Sequence, residues 1–105
     1  MRLEHKSEKE LKKEILRIAG KYLDLNEYRL FFFGSRVSGK SFERSDIDVG
    51  IQGRQKLPFA VKMQIEEDLE NLPTLYKIDL VDFNDVSKDF KKVALKYIEP
   101  INKSK

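Results

Sequence analysis

Two aspartates, Asp46 and Asp48, stand one residue apart in an apolar run, ten residues after the step Phe33-Gly34-Ser35. In a strand, alternate side chains share a face, so Asp46 and Asp48 project together while Ile47 and Val49 point behind them. Two neighbouring carboxylates repel each other, and a divalent cation is the usual way to stabilise the pair. A Gly-Ser turn at the end of a strand can present backbone N–H groups and a hydroxyl to an anion. Carboxylates suited to metal beside a turn suited to phosphate suggest nucleotide chemistry.

The elements that must position these residues are legible around them. Ser7-Glu8-Lys9-Glu10 reads as a capping box. Leu11, Ile15, Ile18 and Tyr22 recur at helical spacing, which predicts a helix from about Ser7 to Leu23 weakened near its end by Gly20. Tyr28 to Phe33 form a strand whose nearly unbroken apolar character implies burial on both faces. Gly34 to Ser45 form a loop with basic residues at Arg36, Lys40 and Arg44, and Asp46 to Ile51 make the second strand. Gly50 lies on the face of Asp46 and Asp48, where a missing side chain would leave room for a ligand; a glycine placed only by the nearby turn fits as well.

Pro58 starts a second helix with Val61, Ile65, Leu69 and Leu72 on one face. Its crowded acids, Glu66 to Asp68 and Glu70, read as a solvated surface. Leu75 to Phe83 are the third strand; Asp79 and Asp82, three apart, face opposite ways and cannot both line one site. A last helix is expected from about Ser87 to Glu99, burying Phe90, Val93, Ala94, Tyr97, Ile98 and Ile101, with Pro100 ending it.

At 105 residues, 40% hydrophobic and 37% charged, the chain suits one compact domain spanning 1–105, with 102–105 a frayed basic tail. It has no cysteine, which excludes thiolate metal sites and disulfides and favours a cytoplasmic setting. No stretch is long and apolar enough for a membrane span. The net charge of +3 is concentrated late: residues 88–105 hold six lysines and two acids, against 15 basic and 16 acidic residues before them. Nucleic-acid binding by this tail is the weaker explanation of its charge.

The order helix, strand, loop, strand, helix, strand, helix, with Gly34-Ser35, ten residues, Asp46-x-Asp48 and Asp79 on a later strand, resembles the DNA polymerase β-like nucleotidyltransferase superfamily, in particular its minimal nucleotidyltransferase (MNT) branch. That resemblance implies an α+β fold with a small mixed sheet of about three strands and helices packed on one face. It implies ATP as substrate and two Mg²⁺ ions that stabilise the attacking and leaving oxygens of an in-line displacement. Asp46 and Asp48 would hold the metals, and Asp79 would complete the site that activates the acceptor hydroxyl. Gly34 would let phosphate approach closely, and Ser35 and Arg36 would bind it. Ser35 as a helix N-cap is compatible with that role, since both use the same amides.

Glu99-Pro100-Ile101 departs from the Glu-Gly step that often ends these small proteins. The short chain offers little to select a second substrate, so a partner chain or a dimer mate would supply it. The resemblance implies a HEPN-domain toxin that receives AMP on a tyrosine and is silenced, making this chain its antitoxin. The alternatives are a binding module that neutralises a partner by contact alone, and a small-molecule nucleotidyltransferase.

Overall fold

The computed structural model describes residues 7–34, 37, 46–74 and 76–102. Helix α1 (Glu8–Ala19) opens as expected: Ser7 accepts the Glu10 amide at 3.1 Å through Oγ. The helix closes at Ala19, four residues before the expected Leu23, because Gly20 takes the C-cap. Strand β1 (Arg29–Phe33) follows, then β2 (Ile47–Gln52), helix α2 (Phe59–Glu70), strand β3 (Ile78–Asp82), helix α3 (Lys88–Ala94) and the two-residue strand β4 (Glu99–Pro100).

The strands form one mixed sheet in the order β3-β2-β1-β4. β1 runs antiparallel to both neighbours and β2 runs parallel to β3. One face carries Leu30 and Phe32 of β1, Ile47, Val49 and Ile51 of β2 and Leu80 of β3, packed against Leu11, Ile15 and Ile18 of α1 and Ile65 and Leu69 of α2. The opposite face holds a separate aromatic cluster of Phe31, Phe33 and Phe83, against which Ala94, Leu95 and Ile98 pack. The rings meet edge to face, with centroids 4.8 Å apart for Phe31 and Phe83 and 5.0 Å for Phe33 and Phe83, an arrangement their quadrupoles favour. The three adjacent phenylalanines therefore serve two layers.

The α+β class and the mixed sheet match the expectation, while two details of the C-terminal part differ. The last helix spans seven residues instead of about thirteen, and it lies over the aromatic face, not with α1 and α2. The chain then turns and adds β4, a fourth strand, to the free side of β1. Pro100, expected only to stop the helix, is accommodated because an edge strand can spare an N–H. Asn102, grouped by sequence with the frayed tail, is fixed instead: it accepts the Leu30 amide at 2.8 Å and donates to the carbonyls of Leu25 and Tyr28 at 3.1 and 2.9 Å. Residues 103–105 lie outside the described residues.

Asp82 is the one buried charged residue among those described, and its role is structural. Its carboxylate accepts the Leu57 amide at 2.8 Å and the Asn84 amide at 2.9 Å, tying the segment before α2 to the end of β3. Asp82→Ala leaves the buried Leu57 N–H without its acceptor. A loss of about 1–3 kcal/mol is expected, read as a fall in the midpoint of urea unfolding.

Candidate active site

Burial of Ile47 and Val49 in the helical face turns Asp48 to the other side of β2. There it is flanked by Phe33 across the antiparallel pairing and by Asp79 across the parallel one. Asp46 stands just before the strand, exposed, where the Ile47 amide donates to the Lys77 carbonyl at 2.8 Å. Asp46 is near enough to Asp79 to perturb its carboxyl, and Lys77 Nζ lies 3.9 Å from Asp79 Oδ1. Asp48 and Asp79 thus stand side by side on neighbouring strands, with Asp46 just before β2 at the same end of the sheet. Asp82 does not join them, as strand alternation predicts.

The electrostatics of this corner follow from crowding. Burial pushes the Asp48 carboxyl above its usual range, and the charges of Asp79 and Asp46 push it further. Asp79 is also raised, first by burial and then by the Asp46 side chain, with the Lys77 charge acting in the opposite sense. All three donors are carboxylates, the chemistry of a hard cation such as Mg²⁺, which needs only one or two protein carboxylates and keeps its own waters. Among the described residues no three His, Cys, Asp or Glu side chains converge into a ready-made cage. Like charges oppose such convergence until a cation balances them.

Gly34 closes the site from the end of β1. Its φ of +85° is favourable only without a side chain, and a Cβ there would run into the Asp48 carboxylate. The backbone after β1 therefore lies directly against Asp48. Gly34→Ala is expected to strain this turn by about 1–2 kcal/mol and to push Asp48 off its position. A fall in activity of about 100-fold, at a protein fold preserved by circular dichroism, checks it. Ser35 and Arg36, along with Lys40 and Arg44, lie outside the described residues.

Gly50 is not an opening for a ligand. The Phe31 and Phe83 rings already fill the space its side chain would take, so aromatic packing explains the glycine. Sequence reasoning missed a groove of about 740 Å³ beside Gly34, lined by Phe33, Phe90, Val93 and Tyr97 among others. Phe90, Val93 and Tyr97 were expected to be buried, yet they are 41%, 65% and 64% exposed. The helix ends too soon for a 3.6-residue stripe to continue, and the signal that could have revealed this is Glu99-Pro100 set to pair as an edge.

A mixed sheet with helices on its faces and an acidic corner beside a glycine turn is the nucleotidyltransferase fold. The chain belongs to the family "Polymerase beta, Nucleotidyltransferase", whose model matches residues 13–104. It is 31% identical over 70 residues to a Haemophilus influenzae protein described as a probable protein adenylyltransferase, MntA. That match covers 67% of this chain and 61% of the relative, so the chain spans about three fifths of that protein's length. Among solved structures it is similar to a toxin–antitoxin with AMP-PNP, at a TM-score of 0.71 and 17% identity over 90% of this chain and 74% of that one. It is also similar to a tri-AMPylated Shewanella oneidensis HEPN toxin in complex with MNT antitoxin, at a TM-score of 0.66 and 15% identity, covering 91% and 73% of the two chains. The fold is common to this chain and both solved structures. No helix among the described residues is long and apolar enough to cross a membrane.

Proposed function

We propose that this chain is a Mg²⁺-dependent protein adenylyltransferase. It moves AMP from ATP to a tyrosine hydroxyl of a HEPN toxin and so acts as the toxin's antitoxin in the cytoplasm. The observation that carries the reading is the pairing of Asp48 with Asp79 across β2 and β3, with Gly34 packed against Asp48, in a chain of the nucleotidyltransferase family. The MntA relative and the two toxin–antitoxin neighbours support the choice of acceptor.

In this reading Asp46, Asp48 and Asp79 would hold Mg²⁺, which would supply positive charge to the phosphate oxygens. Gly34 lets the triphosphate approach the backbone, and Ser35 and Arg36 bind its outer phosphates. The tyrosine oxygen bonds to the α-phosphorus, the bridging bond to the β-phosphate breaks, and pyrophosphate leaves. Asp79, beside the acceptor, would take up the hydroxyl proton.

The test is incubation with labelled ATP, Mg²⁺ and a cognate HEPN toxin. Label on a toxin tyrosine, lost on chelation, is the expected result. No transfer from folded protein counts against the reading. If Asp46→Ala, Asp48→Ala protein still neutralises the toxin, simple binding replaces catalysis.

A further inference from the structure

We propose that the groove beside Gly34 is the subsite for the base of the nucleotide, holding its planar ring against Phe90, Val93 and Tyr97. The inference rests on the nucleotidyltransferase reading of the acidic corner and adds what that reading leaves open, the place of the nucleoside. A nucleotide whose α-phosphate lies at Asp48 carries its base only one ribose away. The base must therefore come to rest close to the backbone that touches Asp48. That backbone is Gly34, and Gly34 is shared by the acidic corner and the groove.

The size and the surface of the groove agree with this occupant. Its 740 Å³ falls in the range of small-ligand sites, about 300–1,000 Å³. Val93 and Tyr97 are nearly two-thirds exposed on a wall that the described residues leave uncovered. Phe90 stands edge to face with Phe33, their centroids 6.1 Å apart, and is 41% exposed. An aromatic wall takes any base by its flat face. Asp89 and Lys96 also line the groove, one charge of each sign, so its wall is apolar rather than cationic, as an uncharged base requires. A peptide from the acceptor would fit the apolar wall too, but only the nucleoside is covalently bound to reach it.

Calorimetry with two Mg²⁺ complexes tests the assignment: AMP-PNP, which carries a base, and inorganic tripolyphosphate, which does not. Tyr97→Ala and Val93→Ser are suitable variants, because both residues are exposed and neither is in the acidic corner. Each variant is expected to weaken AMP-PNP binding about 10-fold and to leave tripolyphosphate binding unchanged, the contrast expected for loss of one stacking or apolar contact to a base. Transferred magnetisation from the adenine protons to the Val93 methyl groups is expected in the wild type. If AMP-PNP binds both variants as it binds the wild type, the base lies elsewhere, while the nucleotidyltransferase reading stands. Equal weakening of both ligands points to a disturbed phosphate site and overturns the subsite. If only toxin association weakens, the groove is a protein dock and the proposal fails. Wild-type protein that binds neither ligand removes the reading and the subsite together.

Discussion

Asp48→Asn is expected to abolish nucleotidyl transfer and, in the same protein, to raise the melting temperature measured without metal. The two effects have one cause. Asp48 is held half-buried between Phe33 and Asp79 with Asp46 nearby, so its charge is unfavourable unless a cation balances it. Replacing the carboxylate by an amide of the same shape removes that repulsion and, with it, the proposed metal ligand. We expect activity to fall by at least about 1,000-fold, as when a group acting on the transition-state charge is lost. The metal-free protein should gain about 0.5–1 kcal/mol, the scale of a solvent-screened charge interaction. For a chain of this size that corresponds to roughly 2–8 °C by differential scanning calorimetry. A variant with normal activity, or one less stable than wild type, contradicts the placement of Asp48.

The pH dependence has a definite sign. Asp48 and Asp79 have carboxyl pKa values raised in the folded state, so the folded protein binds more protons than the unfolded chain between the ordinary carboxylate value and the raised one. Their contribution to metal-free stability therefore improves as pH falls through the raised values, and levels off below the unfolded value. Mg²⁺ binding runs the other way, because it requires the ionised carboxylates and must compete with protons. Titrations of stability with and without Mg²⁺ should converge as pH falls, and in Asp48→Asn the metal-free profile should be flatter.

Gly50→Val is expected to have the largest effect on folding. A Cβ at Gly50 meets the Phe31 ring on one side and Phe83 on the other, and both rings are fully buried. The rings cannot swing away without opening the aromatic layer that also contacts Phe33, the neighbour of Asp48. Overpacking of a well-filled core costs about 1–3 kcal/mol for modest insertions, and valine adds three carbons here. A loss of more than about 3 kcal/mol is a large part of the usual margin of about 5–15 kcal/mol. Thermal unfolding should shift down by more than about 12 °C, with Gly50→Ala intermediate. If Gly50 instead faced an open ligand space, valine would be tolerated and only binding would suffer.

These outcomes depend on features that differ in how well the sequence reports them. Local rules suffice for Ser7, whose hydroxyl caps α1, and for setting Asp79 and Asp82 on opposite faces of β3, which needs only strand alternation. The apolar spacing of α1 and α2 marked their buried faces because each lies along one layer for its whole length. Gly50 was ambiguous because an empty space and a space filled by distant rings look the same in one strand. Phe83, 33 residues further on, decides between them. The C-terminal segment departs from its sequence pattern for a related reason. Phe90, Val93 and Tyr97 follow a helical period, but the period says nothing about whether a partner layer is present, and pairing with β1 recruits Glu99 and Pro100 to the sheet instead. Asp82 carries no signal of its own that it would be used to hold Leu57.

The strand order has a further consequence for how the acidic corner responds to a ligand. Among the described residues β2 has a strand on each side, whereas β3 pairs with β2 alone at the margin of the sheet. Amide hydrogen exchange should therefore be slow along β2 and faster along the outward side of β3. Asp48 is thus mounted on the stiffer support and Asp79 on the more compliant one. In the proposed site, a cation arriving at Asp48 would meet a fixed ligand, and the adjustment needed to complete its coordination would fall on β3. Protection of the β3 amides on adding Mg²⁺ and nucleotide would record that adjustment directly.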